Sequence, residues 1–201
     1  MGVALYGSGP QIAEVNQELQ FTMPSNSSGY EFGSRLLSRF LLRGDFDIRV
    51  DFRLLEWPYY NGVRTAIGLT HNPYDDYGVE RSSLSASEPL GAQEVYVADF
   101  GPFVLVPTQD FTGKLRLVRS GHTQTGYYYE AGRWIPILTD SAPTSDIAIQ
   151  LHAWSHDYAF QHHDVRAAFD NFTVMTGQII WVPEPATLSL ALLGCLVVRR
   201  R

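Results

Sequence analysis

A pair of carboxyl groups about 5–10 Å apart can cleave a glycosidic bond, one as acid and the other as base or nucleophile. The stretch GDFDIRVDF, residues 44–52, carries Asp45, Asp47 and Asp51 at alternate positions, so a strand would set all three on one face. Arg49 and Arg53 share that face, while Phe46, Ile48, Val50 and Phe52 fill the other. Acids interleaved with guanidinium groups, backed by a wholly apolar face, describe a solvated and charge-paired surface. EVYVADF offers Glu94 and Asp99, but their odd separation puts them on opposite faces of a strand. Glu80, beside Arg81 in GVERSS, is a further acid with no partner in sequence.

Other chemistries are weaker still. His152, His156, His162 and His163, with Asp157 and Asp164, supply zinc-ligand types. They lack the H-E-x-x-H spacing and a helix to hold it, and a polar loop is the plainer reading. The loop HNPYDDYG holds Asn72, Asp75 and Asp76, which are oxygen ligands suited to calcium. Calcium is the one ion the sequence suggests; an Asx-rich turn explains the same residues without it. No G-x-S-x-G element, Walker loop or dinucleotide fingerprint is present. No catalytic constellation is visible, so the expectation is a protein that is not an enzyme.

Sugar binding asks for flat aromatic faces with a few amides and acids beside them. Trp57, Tyr59 and Tyr60 in EWPYYNG fall in a turn, where a core does not require them, and are the strongest candidates. Trp134 and Trp154 are further platforms. Tyr128 must point away from Tyr127 and Tyr129, because neighbours in a strand alternate faces. Ordinary core or edge packing is the alternative for each.

The elements that would position these residues are strands. Period-two alternation over residues 45–53 is the clearest signal. Short runs follow at regular spacing, among them GVRTAIGLT, QEVYVADF, GKLRLVRS, TGYYYEAG, GRWIPIL, SDIAIQLHAW and VRAAFDNFTVM. Turns rich in Gly, Pro, Asn and Asp separate them. SRLLSRFLLRG reads as one more strand, turning at Gly44 and Asp45. This pattern predicts an all-β, antiparallel jelly-roll β-sandwich. It spans residues 32–177, after an irregular segment at 1–31 with an edge strand near Leu19–Thr22. A linker at 178–185 and a short C-terminal hydrophobic helix within 186–201 complete the chain.

The 201 residues carry a formal charge of −6 and no internal basic stripe, which excludes a nucleic-acid partner. The single cysteine, Cys195, lies in the apolar tail, so the body has no disulfide and no thiol nucleophile.

Two resemblances add to this reading. GKLRLVRSGHTQTGYYYEAGRWIPI, with VRAAFDNFTV and GDFDIRVDF, resembles the strands of concanavalin A-like (laminin-G/glucanase-type) jelly rolls. That fold hosts lectins, glycosidases and inert spacers, so it implies architecture more than activity. Laminarinase-type members carry Glu-x-Asp-x-x-Glu, which is absent here. Val182-Pro183-Glu184-Pro185, then an apolar run from Ala186 to Val198, then Arg199-Arg200-Arg201, resembles the PEP-CTERM sorting signal of diderm bacteria. The resemblance implies an exosortase, an integral membrane protein, as partner. It also implies transient residence in the inner membrane and delivery of the body to the cell surface or extracellular matrix. About 13 apolar residues reach about 20 Å as a helix, short of a bilayer core of about 30 Å. A segment held only until it is cut tolerates that mismatch, with the arginines keeping its end in the cytoplasm. Export also needs an N-terminal leader, which MGVALYGSGPQIAEVNQ does not supply, so a start upstream of Met1 or a fragment is expected, the alternative being a product that is never exported. The expectation from sequence is an exported surface or matrix protein whose sandwich binds polysaccharide. A purely structural matrix protein is the alternative, and a glycoside-active enzyme a more distant one.

Overall fold

A computed structural model of the chain describes residues 2–70 and 77–182. The calcium-loop candidates Asn72, Asp75 and Asp76 lie outside the described residues, as do Pro183, Glu184, Pro185, the apolar helix and Arg199–Arg201.

The described chain forms thirteen strands and no helix. These are β1 (Gly2–Ser8), β2 (Gln11–Val15), β3 (Glu18–Met23), β4 (Ser28–Glu56), β5 (Arg64–Thr70), β6 (Tyr77–Leu84) and β7 (Gln93–Asp99). There follow β8 (Phe103–Pro107), β9 (Thr112–Ser120), β10 (Thr123–Glu130), β11 (Arg133–Ser141), β12 (Ile147–His156) and β13 (Val165–Trp181). All pairings are antiparallel and build two layers. Sheet A runs β2-β3-β13-β4-β9-β10-β11. Sheet B runs β1-β4-β12-β5-β6-β7-β8.

β4 belongs to both sheets, and this corrects the expected turn at Gly44 and Asp45. The strand creases there without breaking. Gly44 adopts φ +66°, which costs glycine little. The buried guanidinium of Arg119 donates to the carbonyls of Gly44 (2.7 Å), Pro143 (3.0 Å) and Ser145 (2.9 Å), tying the crease to the next loop. Within the expected irregular segment at 1–31, the strand expected near Leu19–Thr22 is present as β3, paired on both sides and not at an edge, and β1, β2 and the start of β4 replace the rest of the described residues. β13 runs to Trp181, so the first residues of the expected linker are strand.

The core lies between the sheets. Phe46, Ile48, Val50 and Phe52 of β4 are all fully buried, as their alternation predicts. Leu115, Leu117, Phe169 and Phe21 join them from sheet A, and Ile67, Val79, Ala98 and Tyr96 from sheet B. Tyr96 stacks on Tyr128 at 4.7 Å and meets Phe52 edge-on at 6.1 Å. The layers approach tightly at Gly126, where a Cβ would stand 2.5 Å from a Val79 methyl and 3.0 Å from the Ala98 Cβ. Both neighbours are short and stiff. Gly126→Ala should therefore destabilise the fold by about 1–3 kcal/mol, read as a lower urea midpoint at unchanged slope.

Candidate functional site

The turn after β4 is built on a buried charge pair. β6 sets Arg81 and Ser83 on the core face, and β7 sets Glu94 opposite. The Arg81 guanidinium meets Glu94 at 2.7 Å with both side chains wholly buried. Glu94 also accepts from the Trp57 indole N–H (3.1 Å), the Tyr60 backbone N–H (2.9 Å) and the Ser83 hydroxyl. Asn61 staples the turn from within, donating to the Pro58 carbonyl and accepting from Val63 N–H. Trp57 is therefore buried and anchors the turn; it is not the exposed platform expected from sequence. Tyr59 and Tyr60 are the residues the turn presents, 46% and 44% exposed. Tyr60 holds φ +63° to do so, and Tyr59 meets Phe111 edge-on at 5.6 Å.

Sheet A carries the alternating charges on its outer face, in the ion-paired form expected. Asp47 binds Arg116 (2.9 Å) and Arg49 (2.9 Å), Asp51 binds Lys114 (2.8 Å), and Arg53 reaches Glu18 (2.6 Å). Burial pulls the Asp47 carboxyl upward, but Arg116 and Arg49 outweigh it and hold the group below its ordinary range. The next two strands add aromatics to this face. Tyr129 and Trp134 meet at 5.0 Å, Arg49 and Arg116 lie over the Trp134 ring at 5.3 and 5.6 Å, and Arg116 also covers Tyr127 at 4.9 Å. Tyr128 points into the core, as alternation requires.

A cleft of about 400 Å³ opens beside Tyr129, lined also by Asp51, Lys114, Arg53, Asp170 and Asn171. Asn171 donates to Asp51 at 3.1 Å. Thr112 lines the cleft too, and Phe111 precedes it in the chain. Of these aromatics Tyr129 lines the cleft and Trp134 packs against its ring, while Phe111, Tyr59 and Tyr60 form a separate group. Cations, carboxylates and an amide line the rest of the cleft.

The outer face of sheet B is different. Register places Arg35, His152, Ala66 and Glu80 in one row across β4, β12, β5 and β6. Gly33, Trp154, Arg64 and Ser82 form the next row. Arg35, Gln150, His152, Glu80 and Ser82 are all buried. Arg35 covers the Tyr6 ring at 4.6 Å, and Ser82 donates to Glu80 at 2.8 Å. Burial, and then the charge of Arg35, push the His152 pKa down to about 3. Trp154 is half-buried here, away from the other aromatic candidates. The histidines thus separate into two on β12 and two in the following loop, and no metal-binding group forms among the described residues. Sequence placed Glu80 in no strand. β6 puts it on the same face as Asp99 of β7, at a diagonal position with Cα atoms roughly 7–8 Å apart.

No family model and no curated protein matches the chain. Solved structures do. The alginate lyase from Corynebacterium sp. shares 15% identity over 86% of this chain and 83% of its own, with a TM-score of 0.54. The β-glucanase of Bacillus licheniformis shares 9% over 87% and 92%, with a TM-score of 0.57. A β-1,3-1,4-glucanase derived from a mouse hindgut metagenome shares 13% over 81% and 82%, with a TM-score of 0.52. Identities this low speak to fold alone: the body of this protein is a concanavalin A-like jelly-roll β-sandwich.

Proposed function

We propose that this protein is a non-catalytic glycan-binding β-sandwich. The observation that carries the reading is Tyr129 lining a polar cleft with Trp134 packed edge-on against it. Tyrosine and tryptophan offer flat faces to sugar rings, and the cleft's carboxylates, cations and amide answer hydroxyl groups. Of the five aromatics predicted from sequence, Trp134 is the one that packs on a cleft residue. The fold neighbours named above, an alginate lyase and two glucanases, favour a polysaccharide ligand. Affinity electrophoresis of the chain through gels of soluble neutral polysaccharides, β-glucan or galactomannan, tests the proposal. At least one should retard migration, and Trp134→Ala should weaken that binding about tenfold, or about 1.4 kcal/mol. Retardation by none, or a Trp134→Ala variant that binds as well as the parent, would favour the purely structural reading.

The diagonal pair Glu80 and Asp99 supports a second reading, a glycoside-active enzyme. Glu80 is buried and engaged by Ser82, which argues against it. Reducing ends released from the retarding polysaccharide, and abolished by Glu80→Gln, would establish that reading instead.

The Pro-Glu-Pro segment, apolar run and terminal arginines support export and exosortase sorting to the surface or matrix. Expression of the gene with its upstream region in a host carrying an exosortase should yield a body outside the cell that has lost the mass after that motif. An intact product in the cytoplasm or inner membrane would sink the sorting reading.

A further inference from the structure

The end of β12 on the outer face of sheet B gathers polar atoms with nothing to bind. Arg64 lies over the Trp154 ring at 4.7 Å, and Trp154 meets His156 edge-on at 5.1 Å. His156 stacks on Tyr158 at 5.1 Å, and Tyr30 approaches it at 6.1 Å. Arg64 Nη1, Trp154 Nε1 and His156 Nδ1 are buried, and none has a hydrogen-bond partner. Three such atoms in one cluster are unusual, because buried polar atoms are ordinarily satisfied. Above them Tyr30 and Tyr158 are 89% and 53% exposed.

The chemistry of the unused atoms selects the ligand. Arg64 Nη1 and Trp154 Nε1 can only donate, and His156 Nδ1 does so in one tautomer. Two carboxylates lie near and both are engaged: Glu88 by Arg64 Nη2 and the Ser85 N–H (2.8 Å), and Glu31, opposite His156 in register, by Arg35 (3.5 Å). A neutral sugar hydroxyl needs acceptors as well as donors. A carboxylate needs donors alone, and a guanidinium beside an indole N–H serves it well. We propose that Tyr30, Arg64, Trp154, His156 and Tyr158 form a second saccharide site, selective for a sugar that bears a carboxylate. The sugar ring lies against the exposed tyrosines, and its carboxylate turns inward to Arg64 and Trp154 with a small shift of the rings that cover them. The site is on the opposite sheet from Trp134 and Tyr129 and stands or falls independently of them.

Calorimetric titration of the chain with trigalacturonate, against maltotriose as the neutral trisaccharide, tests the site. Trigalacturonate should bind saturably, and maltotriose at least tenfold more weakly. Tyr158→Ala, an exposed position, should lower trigalacturonate affinity at least fivefold. Arg64→Lys keeps the charge facing Glu88 but removes the second guanidinium nitrogen, and should do the same. Both variants should melt near the parent, and Trp134→Ala should bind trigalacturonate unchanged. No heat with trigalacturonate, equal affinity for maltotriose, or affinity that survives Tyr158→Ala and Arg64→Lys but falls with Trp134→Ala would each overturn the proposal.

Discussion

Glu94→Ala is expected to destabilise the fold by about 3–5 kcal/mol, enough to threaten a domain whose total stability is ordinarily about 5–15 kcal/mol. The reason is the state of Arg81 after the change. Its side chain is wholly buried, and Glu94 is the carboxylate that meets it. Arg81 would keep the carbonyls of Asp110 (3.0 Å) and Ser82 (2.7 Å), but those do not neutralise a charge. The same change leaves the Trp57 indole and the Tyr60 N–H without their acceptor. The turn that presents Tyr59 and Tyr60 should loosen with it. Urea titration followed by tryptophan fluorescence reads the stability. Glu94→Leu combined with Arg81→Met should recover the part of the loss that comes from the unpaired charge, but not the part that comes from the Trp57 and Tyr60 donors left without an acceptor. A single variant within 1 kcal/mol of the parent would show that the buried pair is not what holds this corner.

Sequence carried the architecture where one face alone meets water. Phe46, Ile48, Val50 and Phe52 alternate cleanly because the outer face of sheet A is solvated and ion-paired, so period two and burial coincide. Sheet B hides that signal. In β6 every residue from Gly78 to Leu84 is buried, so Glu80, Arg81, Ser82 and Ser83 show no alternation and fall in no expected strand, although they form one. Arg81 and Ser83 sit inside because Glu94 of β7 meets them, while Ser82 donates to Glu80 within β6, and such pairing leaves no mark in the chain's periodicity. Trp57 was misread for the same reason: its anchor, Glu94, lies 37 residues away. Tyr59, Tyr60 and Trp134 were legible as surface aromatics because they flank glycine and proline turns. The Trp154 cluster was only half legible, since Arg64, His156 and Tyr30 reach it from three separate segments.

His152 makes the second large effect, a loss of stability in acid. Its ring is 1% exposed on the outer face of sheet B. Arg35 of β4 faces it directly in register, Glu31 lies two pairs along that strand, and Arg64 and Glu80 belong to β5 and β6 beyond Ala66. An ordinary histidine binds its proton near pH 6.5, whereas burial and Arg35 hold His152 neutral down to about pH 3. Between those values the unfolded chain carries a proton that the folded chain refuses, so acid favours unfolding. The slope approaches about 1.4 kcal/mol per pH unit, which amounts to about 2 kcal/mol between pH 7.5 and pH 5. Above pH 7.5 the residue contributes no pH dependence. His152→Gln keeps a neutral polar side chain in the row and removes the titration. Its stability at neutral pH should fall somewhat from altered packing, but its loss between pH 7.5 and pH 5 should be about 2 kcal/mol smaller than the parent's. The comparison uses urea midpoints at several pH values, so the other titrating groups cancel between the two proteins. Parallel curves for parent and variant would mean that His152 takes up its proton in the folded state, and that the row from Arg35 to Glu80 opens to water more readily than its burial implies.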